Sequence, residues 1–234
     1  MAASRLKGKP LLEINNVPII CHVLNKAKET GLEAIVATED KEIVIAVEQN
    51  GGGQVILTGN HKTGTDRIFE AFKKLKIENV DYILNLQGDE PMIDPKDIIN
   101  LNKLMIKNNS DIGTLASEIK KDTMLTNENI VKVITEKKLE NNNFVKALNF
   151  LRKGLKKENS NIYHHIGIYC YKVSVLEKFI NLDQTKNEIK NRLEQLRALD
   201  NNIKINVALA ESSPIGVDTK EDYLALKKIM EYKS

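Results

Sequence analysis
The sequence predicts an α/β fold, a core of strands alternating with helices that carries an inserted β-rich lobe. Two observations point to the core. Short apolar runs recur along the first half, and the intervals between them have helical periodicity closed by glycine or polar residues. A third observation points to the lobe. From about Gly113 the helical segments give way to strand-like runs joined by polar connectors.

Pro18 to Thr30 reads as a helix, with Ile19, Ile20, Val23, Leu24 and Ala27 on one face and Gly31 as its stop. Ala34 to Thr38 is a short buried strand. Glu39 to Gln49 is a second helix, stopped by Gly51-Gly52-Gly53, and Gln54 to Leu57 is another strand. These glycines follow a helix and precede a strand, the reverse of the order in phosphate loops, so they read as a helix stop. Asp66 to Leu75 is helical, Tyr82 to Leu86 a strand and Pro95 to Lys107 a helix. This alternation implies βαβ units and a parallel sheet. Asp111 to Ile119, Ile130 to Glu136 and Phe144 to Phe150 are the strands of the lobe, with Asn141 to Asn143 and Lys153 to Asn161 as exposed loops. Ile189 to Leu199 is helical, Ile203 to Ala208 a strand and Glu221 to Tyr232 a closing helix. With no internal repeat and no linker, residues 1–234 form one domain, its core at about 1–110 and 175–234 and its lobe at about 111–174.

The chain has 35 basic and 32 acidic residues, a formal net charge of +3. That balance excludes a nucleic-acid sheath and a polybasic membrane anchor. Apolar content of 41% without tryptophan is that of an ordinary globular protein. The two cysteines, Cys21 and Cys170, lie in apolar runs. They read as reduced core residues of a cytosolic protein, and their number and spacing suit neither a disulfide framework nor a zinc site. No apolar stretch has the length of a membrane span, and the start lacks a signal-peptide core.

Candidate chemistry collects in six places. Ser4-Arg5-Leu6-Lys7-Gly8-Lys9-Pro10 is a basic, glycine-containing loop that can wrap a polyphosphate; it is equally a solvated basic tail. Thr63-Gly64-Thr65-Asp66-Arg67 opens a helix, where hydroxyls and free N–H groups either cap or bind a ligand. Gln87-Gly88-Asp89-Glu90 ends an apolar strand in two acids. Gly-Asp-Glu-Pro is a workable turn, and the carboxyl end of a parallel strand is also where open α/β sheets bind ligands. In Gly216-Val217-Asp218-Thr219, either Asp218 or Thr219 can cap the last helix. His164-His165-Ile166-Gly167-Ile168-Tyr169 puts histidine beside a strand, and Arg192 to Arg197 sets four polar groups among core leucines. Taken together, a basic loop, two separated aspartates able to hold Mg²⁺ and a turn suited to a base fit a nucleoside triphosphate. Walker A spacing is absent, so attack at the α-phosphate is expected rather than γ-phosphoryl transfer.

On these residues the chain resembles the 3-deoxy-manno-octulosonate (Kdo) cytidylyltransferases, or CMP-Kdo synthetases. The family's motifs stand in family order: Ser4 to Leu11, Val36 to Thr38, Thr63 to Arg67, Gln87 to Pro91, His165 to Tyr169, Leu193 to Arg197 and Gly216 to Thr219. The resemblance runs from Ser4 to about Leu226. It implies a nucleotide-diphospho-sugar-transferase-like, Rossmann-type fold with a mixed, mostly parallel sheet. It also implies transfer of CMP from CTP to the anomeric hydroxyl of Kdo, with release of pyrophosphate for lipopolysaccharide synthesis.

By the same resemblance Ser4, Arg5 and Lys9 hold the triphosphate, with Arg5 and Lys9 in catalytic roles. Thr63, Gly64, Thr65 and Arg67 contact the cytidine end, and Asp89 and Asp218 hold a Mg²⁺ cofactor. Gln87, His165, Tyr169, Glu194 and Gln195 line the Kdo site, with Arg152 for its carboxylate. A cytoplasmic homodimer joined through the lobe is implied. An 8-amino-Kdo enzyme and a non-catalytic nucleotide- or sugar-binding homologue are the alternatives.

Two departures bear on these expectations. Met1 stands where the family has the arginine of Pro-Ala-Arg, so the first family strand and that arginine are missing from this sequence, and a weakened sheet with reduced activity is expected. The family's Phe-Ser-Arg-x-x-Ile-Pro is here Phe150-Leu151-Arg152-Lys153-Gly154-Leu155-Lys156, which keeps the arginine but loses the serine and the proline and so changes the loop around it.

Overall fold
A computed structural model of the chain describes residues 6, 8–153, 161–213 and 216–232. The chain divides into two compact units, one of residues 1–79, 86–98 and 214–234, the other of residues 80–85 and 99–213.

The first unit begins with a tight turn. Gly8 has φ 70°, the left-handed region that glycine enters without strain, and it leads into a single 3-10 turn at Lys9–Leu11. A small antiparallel hairpin follows, β1 (Glu13–Ile14) and β2 (Val17–Pro18). Its turn residues Asn15 and Asn16 have φ of 52° and 59°, the signature of a type I′ hairpin. Then come α1 (Ile19–Lys28), β3 (Ile35–Thr38), α2 (Lys41–Gln49), β4 (Gln54–Leu57) and α3 (Gly64–Leu75). Asp40 caps α2, its carboxylate accepting from the Glu42 N–H. β3 and β4 pair in parallel, as the alternating pattern predicts, and among the described residues they pair only with each other. Cys21, Leu24, Val36 and Val47 form the core between this pair and helices α1 and α2.

The second unit holds β5 (Tyr82–Asn85), most of α4 (Pro95–Asn108), β6 (Ile112–Ser117), α5 (Asp122–Thr126), β7 (Lys132–Thr135), β8 (Phe144–Leu151) and β9 (Ile162–Lys172). Helices α6 (Val173–Ile180), α7 (Lys186–Asn191) and α8 (Gln195–Asp200) precede β10 (Ile205–Leu209), and α9 (Lys220–Tyr232) returns to the first unit. The six strands form one sheet in the order β5-β9-β6-β10-β8-β7, and β7 pairs with β9 as well. That last pairing closes β9, β6, β10, β8 and β7 into a ring.

The mixed α/β fold is as the sequence predicts, but three expectations are corrected. The sheet is not mostly parallel. Among the described residues only β3–β4 and β6–β10 are parallel pairs, because β9 inserts antiparallel between β5 and β6 and the lobe strands add antiparallel pairings of their own. The expected lobe also does not stand apart as residues 111–174. Its strands share a sheet with β5 and β10, since the eleven residues of β9 are long enough to serve both. Finally, the helix expected at Ile189 to Leu199 is two helices. Arg192 takes a left-handed φ of 55° and ends α7, and α8 starts afresh at Gln195.

Gly113 on β6 shows how tightly the second unit is packed. A Cβ there would lie within 3.0 Å of Met105, Phe144 and Leu101. Gly113→Ala is therefore expected to lower stability by about 1–3 kcal/mol through overpacking, read as a lower midpoint in urea with an unchanged slope. An unchanged midpoint would contradict it.

Candidate active site
The acids at the end of β5 belong to a turn and to a site at once. Glu90 donates its N–H to the Gln87 carbonyl at 3.4 Å, and Ile93 donates to the Glu90 carbonyl at 3.2 Å, so the backbone does turn here. The Asp89 carboxylate points away from that turn and ion-pairs with the Lys9 ammonium. Gly88 brings the turn against α1, since a Cβ on it would meet Ile20 Cδ1 at 2.9 Å.

Asp218 reaches the same ammonium at 3.1 Å. The last helix explains why it can. Thr219 and Asp222 cap α9 reciprocally, the Thr219 hydroxyl accepting from Asp222 N–H at 3.1 Å and the Asp222 carboxylate from Thr219 N–H at 2.9 Å. Capping therefore falls to Thr219, and Asp218 is left to face Lys9. The preceding residue anchors it. Val217 is fully buried with Ile14, Ile19 and Leu226, and donates its N–H to the Asp89 carbonyl at 3.0 Å. Two acids 129 positions apart in the chain thus meet on one cation.

Burial of Lys9 works against its charge, but Asp89 and Asp218 outweigh that, and its pKa lies above the ordinary lysine value. The charge pattern is that of a cation site with an ammonium as the present cation. Among the described residues no group of three or more acidic, histidine or cysteine side chains could hold a metal. Two carboxylates with the remaining ligands from phosphate oxygens is the usual arrangement for Mg²⁺, and Asp89 and Asp218 fit it.

Thr63 caps α3, its hydroxyl accepting from Asp66 N–H at 3.1 Å and donating to the Asp66 carboxylate at 2.9 Å. Thr65 is buried, Gly64 is exposed and Arg67 pairs with Glu39 at 3.2 Å. α3 packs on both β3 and β4; Thr38 ends β3 and Glu39 follows it, and Thr58 follows β4. Two buried polar atoms there, Thr58 Oγ1 and Arg67 Nε, have no partner among the described residues. Such atoms are rare in folded proteins and suit an added ligand. The loop into this helix start is held by Glu70, which accepts from His61 and from Gly59 N–H at 3.0 Å and pairs with Lys74 at 2.6 Å. Lys74, His61 and Gly59 pull the Glu70 carboxyl down to about 2.

The sugar-site candidates divide. Gln87 is exposed and lies in the first unit near Asp89, whereas Arg152, His165, Tyr169, Glu194 and Gln195 all belong to the second. His165 is buried on β9, edge-on to Phe150 at 5.1 Å and 5.4 Å from the Tyr169 ring. Burial first, then His164 and Arg152, push its pKa down to about 3, so the ring is neutral at ordinary pH. Its Nε2 is 3.0 Å from Thr114 Oγ1, and that hydroxyl lies 2.7 Å from the Ile168 carbonyl. A hydroxyl has one proton to donate. With that proton on the carbonyl, Nε2–H donates to Thr114 and Nδ1 is left as an acceptor.

Tyr169 is buried, and its hydroxyl has no partner among the described residues. Burial, then Tyr171 and Glu194, raise its pKa well above the ordinary tyrosine value, so it remains a donor. Glu194, at the start of α8, is one of the charges that act on Tyr169. Glu194 and Gln195 are half-buried there, with Arg197 3.6 Å from Glu194. Arg197 also makes a buried bidentate pair with Glu188 at 2.8 and 2.6 Å, a partner the sequence reading did not find. Arg152 donates to the Glu128 and Asn129 carbonyls at 3.3 and 3.2 Å. Ser4 and Arg5 lie outside the described residues.

A family model described as cytidylyltransferase matches residues 1–205. The 3-deoxy-manno-octulosonate cytidylyltransferase of Bartonella tribocorum is 39% identical over 232 residues, covering 98% of this chain and 95% of the relative. That of Thermodesulfovibrio yellowstonii is 41% identical over 246 residues, covering 97% and 94%. This chain belongs to the 3-deoxy-manno-octulosonate cytidylyltransferase family. A solved CMP:2-keto-3-deoxy-manno-octonic acid synthetase complexed with CTP superposes with a TM-score of 0.87 at 33% identity, covering 99% of the chain and 95% of the other. An apo UDP-glucose pyrophosphorylase at 13% identity and TM-score 0.74 shares the fold alone. Among the described residues no helix is long and apolar enough to cross a membrane.

Proposed function
We propose that this family member transfers CMP from CTP to the anomeric hydroxyl of Kdo, releasing pyrophosphate, as a cytoplasmic homodimer that supplies activated sugar for lipopolysaccharide synthesis. The observation that carries the reading is the meeting of Asp89 and Asp218 on the Lys9 ammonium, in a chain that aligns almost end to end with named Kdo cytidylyltransferases.

Asp89 and Asp218 would hold Mg²⁺, which when bound supplies charge neutralisation at the phosphates and lowers the pKa of a nearby hydroxyl. Lys9 is the chain's own cation at that point, and it turns from the two carboxylates to phosphate oxygens as the triphosphate binds. Ser4 and Arg5 continue the same basic loop. Thr63, Gly64, Thr65 and Arg67 take the cytidine end, where unpartnered Thr58 Oγ1 and Arg67 Nε support a polar ligand. On the sugar side the neutral His165 accepts a hydrogen bond from a sugar hydroxyl at Nδ1 and Tyr169 donates, while Arg152 takes the carboxylate and Glu194 and Gln195 take further hydroxyls. No covalent protein nucleophile is needed. These groups act by orientation and by stabilising charge that develops at the α-phosphate.

Polar readout of a base edge discriminates strongly between bases. Pyrophosphate release with Kdo is therefore expected to favour CTP clearly over ATP and GTP, with UTP the nearest competitor. Equal turnover with purine nucleotides would rule out the cytidine assignment, and exclusive use of 8-amino-Kdo would replace the sugar.

A further inference from the structure
Lys132 opens β7 and has no exposed surface at all. Its ammonium donates to three main-chain carbonyls, Asn127 at 2.8 Å, Ile130 at 2.9 Å and Arg152 at 2.7 Å. These satisfy all three of its N–H groups, and no carboxylate pairs with it among the ion pairs of the described residues. The acid that acts on it, Glu128, pairs instead with Lys153 at 2.7 Å. Burying an ammonium without a counter-ion is expensive, and an apolar side chain of similar length would pack at less cost. A charge kept in such a position is therefore expected to secure some particular geometry.

Its partners show which geometry. Lys132 grips both ends of the 127–130 loop, and Arg152 grips the two carbonyls between, Glu128 and Asn129. The same ammonium also fixes the main chain of Arg152 itself, at the point where the chain leaves β8. His165 is tied to both segments: its backbone N–H donates to the carbonyl of Val131, next to Lys132, at 2.9 Å, and its ring meets Phe150, two residues before Arg152, at 5.1 Å.

We propose that Lys132 is a positioning residue that sets the backbone and guanidinium of Arg152 for the carboxylate of the sugar acid. The inference rests on the reading of Arg152 as the carboxylate-binding group. It does not extend to the nucleotide.

Steady-state kinetics on Lys132→Met, Lys132→Arg, Arg152→Ala and the Lys132→Met/Arg152→Ala pair separate the possibilities. Lys132→Met is expected to raise the KM for Kdo about tenfold while the KM for CTP changes less than about twofold. A purely structural lysine would lower the melting temperature and the active fraction without splitting the two KM values. Lys132→Arg keeps charge and carbonyl donors and should restore most of the Kdo affinity. In the pair, the lysine substitution should add little to Arg152→Ala, because both act on one interaction. Should Lys132→Met fail to fold, Lys132→Gln, which retains two donors, is measured in its place with the same expected split. An unchanged KM for Kdo in Arg152→Ala overturns the reading of Arg152 and the inference with it. A raised KM in Arg152→Ala beside an unchanged one in the lysine variants overturns the inference alone.

Discussion
Asp89→Asn and Asp218→Asn are each expected to reduce CMP-Kdo formation by at least about 100-fold, equivalent to roughly 2.7 kcal/mol at the barrier. Asparagine keeps the size of the side chain and one acceptor oxygen but removes the charge, so a divalent cation against a triphosphate loses its strongest protein ligand. Folding should change little. Asp218 has 60% of its side chain exposed, and the turn around it is held by Val217 and by the Thr219–Asp222 cap rather than by its carboxylate. The measurement is pyrophosphate release from CTP and Kdo with saturating Mg²⁺, beside a thermal melt. Near-normal turnover in both variants would reduce the two acids to a surface ion pair with Lys9.

Arg197→Met is expected to lower the melting temperature by about 10 °C. Both Arg197 and Glu188 have 5% exposed side chains, and their pair is bidentate. Burial alone would raise the Glu188 pKa, yet the Arg197 hydrogen bonds, with help from Gln184 and Thr185, bring it below the ordinary value. Removing the guanidinium leaves a buried carboxylate without its counter-charge, which costs roughly 3–5 kcal/mol. For a chain of this size each kcal/mol is worth about 2–4 °C. Arg197 also rests on the Phe179 ring at 4.9 Å, so the apolar stem of methionine keeps part of that contact. The further variant Glu188→Leu with Arg197→Met should recover much of the loss, since both charges are then gone. A drop under about 2 °C in the single variant would mean that water reaches the pair.

What the sequence determined by itself was local. The helices and the first strands were legible because their causes lie within a few residues: the Thr63 cap, the apolar stripe of α1, the run from Gln54 to Leu57. The Asn15-Asn16 hairpin was equally local and could have been found from its paired left-handed asparagines. The resemblance named candidate site residues, and of these the folded chain brings Lys9, Asp89 and Asp218 together.

Tertiary structure decided the rest. No local pattern states that β9 will pair with β5, β6 and β7 in turn, because strand partners are chosen by which edges and faces remain to be covered. Nor does a pattern say whether Asp218 or Thr219 caps α9. That choice followed from Val217 sinking into the core with Ile14 and Ile19, which turned Asp218 toward Lys9. Lys132 and Arg197 look in sequence like any solvated cations. They are buried because carbonyls and a carboxylate from distant segments converge on them, and only the folded chain assembles such partners.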